Sequence, residues 1–169
     1  MPIKFDSIIS DVIRREIGGE ADGGYTNDPV DTGGRTQYGI SEKENPTAWL
    51  DGKVTSEEAR AIYLNKYVKW PKFDQIPEVY SKLQAQLIDF GVLSGPQLAI
   101  MRLQALLKVK VDGLLGPKTL MALVVMEPRS INNRLMGERL KMFGRIVKRD
   151  PSQVRFIEGW INRALEFQL

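Results

Sequence analysis

Apolar positions recur at helical spacing along most of the chain. Phe5, Ile8, Ile9, Val12 and Ile13 follow one helix face, which predicts an amphipathic helix over residues 5–17 with Gly18-Gly19 as its stop. Thr55 opens Thr-Ser-Glu-Glu, the order of a capping box with Glu58 returning to the cap. Ala59, Ile62, Tyr63 and Tyr67 carry that helix to the neighbourhood of Trp70, and Pro71 and Pro77 bracket a loop. Beyond Glu78 the chain reads as helices only. Leu83, Leu87 and Phe90 form a stripe that the segment from Gly91 to Pro96 is expected to break. Pro96 then suits the first turn of a helix carrying Ile100, Leu103, Leu106 and Leu107. A turn at Asp112-Gly113 and Gly116-Pro117 leads to a helix over 117–126. Ile131, Leu135, Met136, Leu140, Phe143 and Val147 line a long helix ending near Lys148. Asp150-Pro151 is expected to open the last one, with Val154, Ile157, Ile161, Ala164 and Leu165 on its apolar side.

One stretch breaks this rhythm. From Glu16 to Ile40 the chain is rich in glycine and turn formers and holds five acidic residues. So long an irregular segment beside regular helices is expected to be functional. Tyr25-Thr26 and Thr36-Gln37-Tyr38, separated by Asn27-Asp28-Pro29 and Asp31-Thr32-Gly33-Gly34, predict a short, irregular hairpin. Ser41 to Glu44 suits a helical turn ending before Pro46.

Composition narrows the chemistry. The chain has no cysteine and no histidine, which removes disulfides, thiolate metal sites and the Ser-His and Cys-His nucleophiles. Acid–base work then falls to carboxylates. No apolar run is long enough for a membrane span, and the start of the chain shows no export signal. Charge is uneven: residues 1–84 hold 11 Lys/Arg against 14 Asp/Glu, residues 85–169 hold 13 against 7. A basic half favours a polyanion, or is simply a solvated helical surface. Arg129, Arg134, Arg139, Lys141, Arg145, Lys148 and Arg149 are its candidate contacts, although nothing in the sequence is a nucleic-acid reading motif. Trp49, Trp70 and Trp160 read as core or rim residues.

Cleaving a glycoside calls for a protonated carboxyl at the leaving oxygen and a second group across the sugar ring. The negative end of a helix favours the protonated form. Glu16, in the last helical turn, and Glu20, just beyond the glycine pair, meet that requirement. Asp28 and Asp31, in the turn-rich segment, suit the ionised partner, and Thr36 could hold a water. The same aspartates also serve as turn formers. Asp22, Asn27, Asp28 and Asp31 do not have the spacing of a calcium loop, and the glycines do not form a phosphate loop.

The run GGYTNDPVDTGGRTQYGIS resembles the signature of phage and bacterial N-acetylmuramidases of glycoside hydrolase family 108. That family reads Glu-Gly-Gly-Tyr, then Asp-Pro-x-Asp-x-Gly-Gly-x-Thr-x-x-Gly-Ile. Here Gly23-Gly24-Tyr25, Asn27-Asp28-Pro29, Asp31, Gly33-Gly34, Thr36 and Gly39-Ile40 reproduce it. VDGLLGPKTL and RLKMFGRIVKRDPSQVRFIEGWINR are similar to the peptidoglycan-binding module that follows in the same family. One position departs: Asp22 stands where the family glutamate precedes Gly-Gly-Tyr. A two-residue insertion would make Glu20 the acid, with Glu16 second and Asp22 third.

The resemblance implies a mainly α, lysozyme-like helical fold with a short β-hairpin insert near the N-terminus. Residues 1–80 would form the muramidase region and 81–169 the helical wall-binding region, packed as one compact unit. Glu20, Asp31 and Thr36 would be catalytic, and Tyr25 and Tyr38 would stack on sugar or pack the insert. No metal or cofactor is expected. The implied partner is peptidoglycan, met by a monomer without nucleic acid or membrane insertion. The implied setting is a phage endolysin held in the host cytoplasm, released by a holin-type membrane protein to lyse the wall from the periplasm. A non-catalytic wall-binding or virion protein is the alternative.

Overall fold

The computed structural model describes residues 3–18, 20, 22–27 and 34–169. The chain divides into two compact units, Met1–Lys66 and Tyr67–Leu169. The described residues form seven α-helices and one two-stranded antiparallel sheet, the mainly α architecture with a short hairpin that the sequence predicts. No helix among them is long and apolar enough to cross a membrane.

In the first unit, α1 (Ile3–Glu16) buries Phe5, Ile9, Val12 and Ile13 and packs against α2 (Ser56–Leu64). The capping box at Thr55 is formed: its hydroxyl accepts from the Glu58 amide, and the Glu58 carboxylate accepts from the Thr55 amide at 2.8 Å. Past Leu64 the helix widens into a π-helical turn, Asn65–Lys69. The insert contributes β1 (Thr36–Gln37) and β2 (Ile40–Ser41), paired Thr36 to Ser41 and Gln37 to Ile40. The turn expected at Ser41–Glu44 precedes a 3-10 helix, Pro46–Trp49, which Pro46 opens rather than blocks.

In the second unit, α3 (Ser81–Ser94) packs against α4 (Pro96–Leu107) and α6 (Pro128–Arg149), and α6 against α7 (Ile157–Leu165). α5 (Pro117–Val124) rests on α4. Leu83, Leu87, Ile88 and Phe90 of α3 are almost wholly buried, each worth roughly 1.5–3 kcal/mol relative to exposure.

Three sequence expectations shift here. Gly91 does not end α3. The break expected between Gly91 and Pro96 falls near the far end of that segment, at Gly95 (φ +86), and α3 runs on to Ser94. Asp150 opens a 3-10 segment, Pro151–Phe156, not α7 directly. Its carboxylate accepts from the Ser152 amide and from the Gln153 side chain, which tightens that turn and leaves Val154 exposed. Finally, Arg139 is fully buried and gives 2.7 Å to Asp89, whose other oxygen accepts from Arg163. It belongs to the core, while Arg129, Arg134, Lys141, Arg145, Lys148 and Arg149 stay on the surface. Trp49 is buried, Trp160 half-buried between Phe143 and Phe156, and Trp70 is exposed.

Candidate active site

The site grows from the end of α1. Glu16 is its last residue, and Ile17 continues the ladder by donating to Ile13. Gly18, at φ +60, then turns the chain away. The Glu20 amide donates to the Ile17 carbonyl, and the Glu20 carbonyl accepts from Gly23, so the backbone here is a chain of tight turns with the Glu20 side chain exposed. Asp22 uses its carboxylate on the Gly24 amide at 3.0 Å, an Asx turn, and its carbonyl accepts from the Gln37 side chain.

The hairpin folds onto this segment. Thr26 and Thr36 exchange both backbone hydrogen bonds, at 2.8 and 3.0 Å. The turn between β1 and β2 is Tyr38-Gly39, with φ +53 and +73, the type that suits strand twist but strains a tyrosine. Three contacts hold the tyrosine there. Its amide donates to Gly23, its carbonyl accepts from the Tyr63 hydroxyl of α2, and its ring lies over Gly23. A Cβ on Gly23 would sit 2.5 Å from that ring, so the first glycine of Gly-Gly-Tyr is required for contact. Gly24 lies against Ile17 at the end of α1.

Gly39 brings the turn to the helix end. A Cβ there would lie 3.4 Å from Glu16 Cβ and 2.5 Å from the Tyr63 hydroxyl. The structure thus sets Glu16 beside the hairpin that carries Thr36, three residues before Gly39. Asp28 and Asp31 lie outside the described residues. Tyr25 is exposed, its ring 6.3 Å from Trp49, whereas Tyr38 is half-buried with one face on Gly23.

Several supporting groups escape sequence reading. Arg35 makes a two-pronged ion pair with Glu42 at 2.9 and 2.7 Å, reaches the Gly52 carbonyl and lies 4.9 Å over the Trp49 ring. The shared hydrogen bond holds the Glu42 carboxyl below its usual range and raises the Arg35 guanidinium above its own. Gln37 bridges the Asp22 carbonyl and the Val54 amide. These pairs are seven to seventeen residues apart, a spacing that no helix or strand period marks.

Residues 17–95 match the family model described as Glycosyl hydrolase 108, and residues 98–165 match one described as Predicted Peptidoglycan domain. The fold is similar to the solved structure of Brucella abortus SagA. The TM-score is 0.69 at 28% identity, with 96% of this chain and 92% of that chain covered. No curated protein matches the sequence.

Proposed function

We propose that this chain, which matches the glycosyl hydrolase 108 model over residues 17–95 and a peptidoglycan domain model over 98–165, is a lysozyme-like peptidoglycan hydrolase that cuts the β-1,4 bond between N-acetylmuramic acid and N-acetylglucosamine. The observation that carries the assignment of its acid is the approach of Gly39 to Glu16. A glutamate at the negative end of α1, against the hairpin of the family motif, is where a proton donor is needed. On that ground we take Glu16, the last residue of α1 beside the hairpin, as the first candidate acid, with Glu20 and Asp22 as the alternatives. Asp31 keeps the role that the family resemblance implies, the carboxylate across the sugar ring, and Thr36 that of positioning water. Tyr25, with its ring exposed, is the stacking face for sugar, and Tyr38 braces the turn.

The biological setting we propose is lysis: an endolysin made in an infected host and given access to the wall by a holin-type membrane protein. Turbidity loss of outer-membrane-stripped Gram-negative cells tests the chemistry. Wild type clears the suspension, and Glu16→Gln slows clearing by about 10²–10⁴-fold with the fold intact. Glu20→Gln and Asp22→Asn stay far closer to wild type. Inactive wild type would sink the enzyme reading, and full activity in Glu16→Gln would return the acid to Glu20. Mass spectrometry of the released muropeptides shows reducing N-acetylmuramic acid ends; anhydro ends would make the reaction a lytic transglycosylation instead.

A further inference from the structure

The second unit carries a groove that the hydrolytic motif does not use. Trp70, Pro71 and Lys72 form one wall, and Gly113 to Gly116 with Ile100 the other, around a space of about 300 Å³. A second depression of about 730 Å³ shares Leu114 and Gly116 with it and continues past Lys110 and Lys118. Both volumes fall in the range of ligand sites, roughly 300–1,000 Å³.

The loop between the two depressions is built, not slack. Gln104 of α4 is fully buried, and its side-chain amide donates to Asp112, the Leu114 carbonyl and Thr119. Its oxygen accepts from the Asp112 and Gly113 amides. Asp112 in turn accepts from Leu114. This network holds Leu114 in solvent at 62% exposure, opposite an indole at 59% exposure. Two large apolar groups kept open across a groove lose burial that a relaxed loop would recover. Lys72, beside the indole, has φ +61, a left-handed conformation that non-glycine residues rarely hold. Lys72 and Lys118 stand exposed along the grooves.

We propose that this groove binds a peptidoglycan strand, with an N-acetylated sugar ring lying on the Trp70 indole and stem-peptide carboxylates meeting Lys72 and Lys118. The charge complementarity commits it to an anionic strand, and the apolar walls suit ring faces and acetyl groups. The inference rests on reading the chain as a wall hydrolase. It adds a site that joins Trp70–Lys72, within the segment matching the hydrolase family, to a loop of the peptidoglycan domain.

The test is cosedimentation of the full chain with purified sacculi, in a Glu16→Gln/Glu20→Gln background so that the sacculi persist. Trp70→Ala weakens binding about tenfold, while Trp70→Phe, which keeps an aromatic face, stays within about twofold. Lys72→Glu/Lys118→Glu weakens binding and flattens its salt dependence. Circular dichroism and thermal unfolding check each fold. Undiminished binding in folded Trp70→Ala and in the double lysine variant overturns the groove, as does a parent that does not sediment with sacculi. Muropeptide release by the wild type is read separately, so failure of the hydrolase reading and failure of the groove are told apart.

Discussion

The two units each hold an irregular loop in one shape, and they do it with opposite means. In the first, the hairpin is held by close backbone approach: Gly23 under the Tyr38 ring, Gly39 against Tyr63 and Glu16. In the second, the loop before α5 hangs from a long buried amide, Gln104, which makes five hydrogen bonds to residues of the loop and the first turn of α5. The same device recurs there. Gln84 reaches the Phe73 carbonyl, and Gln86 reaches Asn132, whose own amide reaches the Phe167 carbonyl. One charged cluster of the second unit also lies inside, Asp89 with Arg139 and the part-buried Arg163. Backbone approach strips side chains from the loop surface and lets it come up to a helix end. Suspension from below leaves the loop's own side chains free to face outward, as Leu114 does.

Substitutions can break this contrast. The largest effect is expected at Asp89. Asp89→Ala removes the carboxylate facing two arginines, one of them fully buried, and should cost about 3–5 kcal/mol in urea unfolding. A small shift would mean that the buried cluster does not anchor α3, α6 and α7. Next is Gly39→Ala, which meets both a positive φ and the Tyr63 hydroxyl. It should cost about 2–3 kcal/mol of stability and about 10²-fold in clearing rate, because it pushes the turn off the Tyr63 hydroxyl and so shifts the hairpin beside Glu16. Loss of stability without loss of rate would separate that turn from catalysis. Gln104→Ala should cost about 1–2 kcal/mol and lower binding to sacculi while leaving the hairpin alone. Hydrogen exchange would show it: the Asp112 and Gly113 amides speed up, the Thr36 amide does not.

The smallest effect is a pH dependence. The hydrogen bond from Gln104, followed by that from the Leu114 amide, holds the Asp112 carboxyl below its ordinary range. Its contribution is therefore complete at pH above that range and is lost as pH falls through the lowered folded value. Corrected for intrinsic rate, protection of the Leu114 amide should fall toward the acid end in the wild type and stay flat in Asp112→Asn. Identical profiles in the two proteins would remove Asp112 from the loop's support.

Periodicity, caps and the motif were legible in the chain. The stripe of α1, the capping box at Thr55, and Pro96 and Pro117 at helix starts each follow from local rules, whereas the expected pairing of Tyr25-Thr26 with Thr36–Tyr38 forms only as the Thr26–Thr36 bridge and the strand pair joins Thr36–Gln37 to Ile40–Ser41. The spacing from Gly23 to Ile40 identified the family segment and, with it, Thr36 and Asp31 as candidates. What sequence could not rank was the acid. Glu16, Glu20 and Asp22 lie within seven residues: Asp22 stands at the family position, a two-residue insertion favours Glu20, and Glu16 also precedes a Gly-Gly pair. That ranking depends on where α1 ends and on how closely the hairpin comes to it, which no local rule gives. Nor could the sequence tell that Arg139 is buried while its neighbours on α6 are solvated, or that Trp70 stands open while Trp49 is covered. A charge or an aromatic ring has no intrinsic side. Its partners, Asp89 for one and Arg35 for the other, come from residues 50 and 14 positions away, and tertiary packing brings them together.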